Sequence, residues 1–304
     1  MKLIAPDYYP QFRCIADKCR HSCCIGWEID IDPAARERYR HVPGAFGTRL
    51  NAAIEDGEVS SFRLDENERC PMLNASGLCD LITALGEDAL CQICADHPRF
   101  RSFFTGRTEI GLGLCCEEAA RIILTREKPM HLICLEDDGE SAELPEEESG
   151  LLALRGELIA IMQDASRPLD DRLEALLDAV DFPVPDRNWA EVYRGLERLD
   201  PAWDDLLDTL QLPLSAAPKA LEPALGNFAA YMLYRHLPGA LEDEDVPGRV
   251  AFCVLSARVL AALCAAKPGC TMAALIEFAR MYSAEIEYDE DNIAALLDAL
   301  WEED

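Results

Sequence analysis

The sequence predicts a mainly α protein, in which an irregular, metal-stabilised, cysteine-rich N-terminal region packs on an all-helical C-terminal bundle. Three observations predict it. Ten of the 14 cysteines fall within the first 116 residues. Helical apolar periodicity dominates after about residue 150. Between the two lies Glu136-Asp137-Asp138-Gly139-Glu140 through Glu146-Glu147-Glu148-Ser149, acidic and without an aromatic residue, which reads as a linker or loop. The expected division is 1–135, 136–149 and 150–304.

Asp32-Pro33 predicts a helix start through Tyr39, because Asp caps the first amides and Pro tolerates the first turn. Short irregular pieces and a few small strands should follow. A second helix should begin at Cys116 and run to Leu124, with Glu117 and Glu118 at its positive end. After the acidic stretch, Leu151, Leu152, Leu154, Leu158, Ile159 and Met162 lie close to one face. Leu169, Leu173, Leu176 and Leu177 mark the next helix. Further amphipathic runs occupy 188–199, 201–211, 222–236, 246–266, 271–284 and 290–301, with prolines mostly at their ends. No fixed-period repeat is present, so the bundle should be irregular.

At 304 residues and 50% hydrophobic, the chain can build a core without a metal to compensate for small size. Residues 1–134 hold 16 basic against 20 acidic side chains, net −4, and residues 135–304 hold 12 against 37, net −25. A nucleic-acid binder would carry the opposite sign. Pro6 and Asp7 interrupt any leader-like apolar run. The stretch Val250–Ala266 is short for a membrane span and contains Arg258. A cytoplasmic protein without a membrane span is expected. In that reducing setting, cysteine pairs mean metal or redox chemistry more often than structural disulfides.

The cysteines run Cys14-x4-Cys19-x3-Cys23-Cys24, Cys70, Cys79, Cys91-x2-Cys94 and Cys115-Cys116. Thiolates are soft ligands that select zinc or iron–sulfur centres. If the local structure is helical, Cys19 and Cys23 leave one face and Cys24 points about 100° away. Gly26 would then permit a break. Ten thiols exceed the four that one tetrahedral zinc or one [4Fe–4S] cluster needs. Either two sites exist or some cysteines pack as small hydrophobes. Core packing is expected for Cys134, Cys253, Cys264 and Cys270. His97 follows Cys94 at metal-like spacing, with an ordinary polar role preferred. Gly111-Leu112-Gly113 lacks the strand–turn–helix setting of a dinucleotide fingerprint.

Pro6-Asp7-Tyr8-Tyr9, Cys23-Cys24-Ile25-Gly26-Trp27, Asp30-Ile31-Asp32, Cys70-Pro71-Met72-Leu73, Gly77-Leu78-Cys79-Asp80-Leu81, Cys91-x2-Cys94-x3-Pro98-Arg99 and Cys116-x-Glu118-Ala119-Ala120-Arg121 come in an order that resembles the flagellin lysine-N-methylases. That family shares its cysteine pattern with zinc- or iron-chelating proteins. The resemblance covers about residues 1–128 and is weaker beyond, around Gly226-Asn227-Phe228. It implies S-adenosylmethionine-dependent methyl transfer to lysines of flagellin, with a [4Fe–4S] cluster, or alternatively zinc, on the cysteines. Ligand candidates are Cys14, Cys19, Cys23, Cys24, Cys70, Cys79, Cys91, Cys94 and Cys116, with Cys115 the extra thiol. Tyr8 and Asp30 are the catalytic candidates, Asp30 as the amine contact. Trp27, Glu28, Arg99 and Glu118 are the cofactor-contact candidates. Two other readings remain: a non-catalytic chelating module whose acidic half binds a basic partner, and a thiol redox protein using Cys91 and Cys94.

Overall fold

The computed structural model describes residues 1–26, 28–139, 142–211 and 213–302. It divides the chain into a unit of residues 13–99, here the thiol unit, and a helical unit of residues 1–12 with 100–304. Strand β1 (Lys2–Pro6) opens the chain. The thiol unit holds β2 (Asp30–Ile31), α1 (Pro33–Arg40), α2 (Gly44–Ala52), β3 (Ile54–Glu55), β4 (Ser60–Phe62), α3 (Asp80–Leu85) and α4 (Gln92–Asp96). There follow β5 (Arg99–Phe104), β6 (Arg107–Leu112), α5 (Glu117–Leu124) and β7 (Leu132–Asp137). The bundle comprises α6 (Glu146–Gln163), α7 (Leu169–Val180), α8 (Trp189–Gly195), α9 (Pro201–Leu207), α10 (Glu222–His236) and α11 (Ala240–Asp243). It closes with α12 (Val246–Ala266), α13 (Met272–Tyr282), a π-helical turn at Ser283–Glu287 and α14 (Glu290–Trp301).

In the thiol unit, β2, β4 and β3 form a small antiparallel sheet in that order. Its apolar side and α1 enclose Ile29, Ile31, Tyr39, Leu50, Phe62, Met72 and Leu81. Helix α1 starts as its sequence predicts: Asp32 Oδ1 accepts from the Ala35 amide at 2.8 Å, with Pro33 in the first turn. Cys19 and Cys23 do not share a helix. Ala16–Lys18 is a single 3-10 turn, and Cys19 leaves it in an extended conformation. Gly26, at φ +90°, turns the chain where a side chain would be strained.

In the helical unit, a four-stranded sheet has the order β5-β6-β1-β7. β1 runs parallel to β6, Ile4 opposite Glu109, and antiparallel to β7, Ala5 opposite Ile133. This pairing corrects the expected boundaries. The first twelve residues belong with the bundle, and the stretch 136–149 is only partly a connection. Glu136 and Asp137 end β7, while Glu146, Glu147 and Glu148 form the first turn of α6. Backbone pairing tolerates acidic side chains on an exposed edge, and three glutamates suit a helix N-terminus. Residues 140 and 141 lie outside the described residues. Cys134 is exposed on β7, so it is not a core residue, whereas Cys253 and Cys264 are buried in α12 as expected.

The bundle follows its periodicity closely. Leu169, Leu173, Leu176 and Leu177 are buried on α7, and Leu151, Leu158, Ile159 and Met162 on α6. Side-chain caps start α9 (Asp200), α12 (Asp245), α13 (Thr271) and α14 (Asp289). Helix α12 has the length and composition to cross a membrane, yet 78% of that apolar window is buried inside the fold. A helix apolar all round is what a core position demands.

Candidate functional site

Five thiols from four stretches of the thiol unit come within electrostatic reach of one another. Cys70 feels Cys24, Cys79 and Cys91. Cys79 feels Cys24, and Cys94 feels Cys91, Cys24 and Cys70. The framework is built by backbone bonds. The Cys70 amide donates to the Cys24 carbonyl at 2.8 Å, and Ile25 bridges to Arg69. The Asp80 amide donates to the Met72 carbonyl at 2.7 Å, drawing Cys79 beside Cys70.

Asp32 sets the place of Cys91 and Cys94. While Oδ1 caps α1, Oδ2 accepts from the Gln92 amide of α4 at 2.8 Å. Tyr39, buried on α1, donates its hydroxyl to the Ala89 carbonyl at 2.8 Å and lies near both sulfurs. Burial and the two thiols push the Tyr39 hydroxyl far up, so it stays protonated.

The thiols are electrostatically unequal. A hydrogen bond from Cys23, aided by Ser22 and Arg69, outweighs burial and lowers Cys24 to about 7. Burial pushes Cys70 up to about 12 and raises Cys79. Cys91 and Cys94 share a hydrogen bond, which lowers Cys91 and raises Cys94. Among the described residues, no three His, Cys, Asp or Glu side chains stand together closely enough to hold a metal ion.

The other expected residues are distributed as follows. Cys23 is exposed and joins the group through Cys24. Cys14 is exposed, its sulfur accepting from the Ala16 amide at 3.4 Å, and Cys19 is half-buried with its sulfur on the His21 carbonyl at 3.1 Å. Asp30 is exposed and lines a cavity of about 560 Å³ beside Gln92 and Ile93 of α4. Glu28 is exposed, and Trp27 lies outside the described residues. Arg99 donates to the Ala95 carbonyl at 3.1 Å. Burial and Arg99 push the His97 imidazole down to about 4.

Tyr8, Glu118 and Cys116 belong to the helical unit. Tyr8 is buried under the Arg126 guanidinium, 5.2 Å from its ring centroid, and its hydroxyl has no described partner. Glu118 makes a two-point pair with Arg121 at 2.7 and 2.6 Å. Cys116 is the residue before α5, and loss of solvent pushes the half-buried Cys115 thiol up to about 12.

A second polar group in the helical unit has no sequence signature. Glu287, in the π-helical turn, accepts from Tyr231 at 2.8 Å and from His236 Nε2 at 2.7 Å. Arg235 donates to the Tyr231 hydroxyl at 2.8 Å and lies between the rings of Phe100 and Tyr288. Fifty-one residues separate His236 from Glu287, so no local spacing could reveal them. Asp32 was legible only as a helix cap, because its second bond is tertiary.

No family model and no solved structure matches the chain. It is 27% identical over 139 residues to the lysine-N-methylase of Salmonella typhimurium, covering 42% of this chain and 33% of that protein. The lysine-N-methylase of Salmonella choleraesuis matches with the same figures. The flagellar biosynthetic protein FliU of Salmonella muenchen is 24% identical over 137 residues, covering 42% of this chain and 79% of that protein. The chain therefore spans about a third of the length of the lysine-N-methylases it matches. The relationship is a distant one, to proteins named for lysine methylation and flagellar biosynthesis.

Proposed function

We propose that this chain is an S-adenosylmethionine-dependent protein lysine N-methyltransferase, with flagellin as substrate and a [4Fe–4S] centre held by thiols of the thiol unit. The observation that carries this reading is the convergence of Cys24, Cys70, Cys79, Cys91 and Cys94 in a chain distantly related to lysine-N-methylases. By donor chemistry the group fits a soft-metal centre, and five thiols suffice for four ligands. Side-chain rotation must complete the ligand geometry, since the described side chains do not yet meet it. When bound, such a centre would supply, at an iron left without a cysteine, an anchor for the amino and carboxylate groups of S-adenosylmethionine.

The chain itself must lower the cost of deprotonating lysine, about 4–5 kcal/mol at neutral pH from a reference pKa near 10.4. Asp30 is the proposed amine contact, an exposed carboxylate on the cavity that α4 helps to line. Trp27, Glu28 and Arg99 remain the proposed cofactor contacts of the thiol unit, while Tyr8 and Glu118 belong to the helical unit.

Anaerobic purification with iron, zinc and sulfide quantified, followed by methyl transfer to flagellin, tests this reading. About four irons per chain are expected, lost together with methyl transfer in C70S/C79S. Metal-free protein that methylates at the normal rate would remove the cluster. Iron-loaded protein that transfers no methyl group would remove the enzyme. The shared Cys91–Cys94 hydrogen bond favours one second reading, thiol redox chemistry. Methyl transfer that survives C91S/C94S, with no disulfide-exchange activity in the parent protein, rules that out.

A further inference from the structure

A cavity of about 610 Å³ opens in the helical unit among α10, α11, α12 and α14, and no cysteine lines it. His236 is on its wall, only 5% exposed. The Nε2 atom lies 2.7 Å from Glu287 Oε2. Burial opposes ionisation of Glu287, but the Arg235 charge and the His236 hydrogen bond outweigh it and hold the carboxyl at about 2. A carboxylate only accepts, so Nε2 carries the proton and Nδ1 keeps its lone pair. Burial, the largest influence, keeps the ring neutral by lowering its pKa. No described residue hydrogen-bonds Nδ1, so His236, which lines the cavity, keeps an acceptor atom for a ligand there. Such an acceptor asks for an N–H or O–H donor.

The charge of the cavity specifies which donor. Arg235 is engaged by Glu287 at 3.4 Å and Arg249 by Asp243 at 2.7 Å, so both cavity arginines are already compensated. Glu242, Glu290 and Asp298 also line the cavity, are exposed, and their carboxylates have no described hydrogen bond or ion pair. At the rim, Trp301 is 55% exposed, and its Nε1 donates to Asp245 at 2.8 Å, which fixes the ring. Excess negative charge, one point-like acceptor and an aromatic wall together suit a cation with an apolar stem.

We propose that this cavity binds a primary alkylammonium group, the head of a lysine side chain on a protein partner. His236 Nδ1 accepts one N–H, Glu242, Glu290 and Asp298 compensate the charge, and Trp301 covers the stem. As an anchor for a methylation substrate this rests on the methylase reading; as an amine site it does not.

Calorimetry on the full chain at low salt, without a methyl donor, tests it with three probes: butylammonium chloride, butan-1-ol and a peptide with blocked termini and one free lysine side chain. Butylammonium and the peptide are expected to bind, to change Trp301 emission, and to weaken as salt rises. Butan-1-ol is expected not to bind. H236Q retains a donor for Glu287 but moves its acceptor, now Oε1, away from the Nδ1 position, and should weaken butylammonium about tenfold. The surface variant E242Q/E290Q/D298N should weaken it about tenfold or more. Absent butylammonium binding, equal binding of butan-1-ol, or undiminished binding by both variants overturns the site. Butylammonium binding without peptide binding overturns the protein partner and leaves a free amine as the ligand. Methyl transfer is assayed separately. Its absence in protein that binds butylammonium is a failure of the methylase reading alone, and its presence in protein that ignores butylammonium is a failure of this site alone.

Discussion

Asp32 ties α1 to the helix that carries Cys94. One carboxylate caps α1 through Ala35 and holds the first amide of α4 through Gln92. Replacing it with Ala should cost about 1–2 kcal/mol, the usual value of a lost cap, read as a lower urea midpoint. D32A should also speed maleimide labelling of Cys91 and Cys94; an unchanged labelling rate would show that α4 is held by other contacts. The pH dependence has a defined sign. Burial would raise the Asp32 carboxyl, but the Gln92 and Ala35 amides and Arg38 outweigh it, so its folded value lies below the ordinary one. Its stabilisation is therefore present above about 3.9 and fades as pH falls through the lower folded value. D32A should lose that acid-side slope.

At the scale of elements, two contacts seat the sheet of the helical unit. Arg155 of α6, 2% exposed, lies 2.8 Å from the buried Glu109 carboxylate of β6, and its guanidinium covers the Tyr234 ring at 4.9 Å. R155M leaves Glu109 with Arg107 as its remaining cation. A loss of about 3 kcal/mol is expected, the low end for breaking a buried pair. The double variant R155M/E109L should recover part of it, and equal stability of the single and double variants would contradict the pairing account. Gly111 of β6 was a weak glycine signal in the sequence. Its role is spatial: an added Cβ would stand 2.2 Å from the Phe100 ring. Phe100 in turn stacks on Arg235, 5.0 Å from the ring centroid. G111A should cost about 1–3 kcal/mol by overpacking and alter near-ultraviolet dichroism. An unperturbed spectrum with full stability would mean that Phe100 has room to move.

For the whole molecule, burial of weakly titrating groups predicts acid lability well above the carboxylate range. His97 in the thiol unit is held at about 4, and His236 in the helical unit lies below its ordinary value. In the unfolded chain both protonate near 6.5, so the unfolded state binds more protons as pH drops from there. Stability is lost through that window. Glu287, at about 2, extends the loss below about 4. Glu285 opposes it, because burial raises its value and its contribution grows on acidification. The thermal midpoint should therefore fall steadily from pH 7 to pH 4, and H236Q should flatten part of that slope. A midpoint constant across this range would contradict neutral burial of both histidines.

The sequence by itself determined the helices. Most start with a polar cap or proline and most keep one apolar face, and these are properties of residues three or four apart. Helices α1, α5, α6, α7, α10, α12 and α14 were legible for that reason. The abundance of thiols was equally legible, since it is composition. Only the tertiary structure decided that β1 joins β6 and β7, that Cys24, Cys70, Cys79, Cys91 and Cys94 converge while Cys116 sits in the other unit, and that Glu287 meets His236. Strand pairing and side-chain convergence join residues tens of positions apart. Their free energy comes from burial and hydrogen bonds formed after the chain has closed long loops, and no local pattern carries that information.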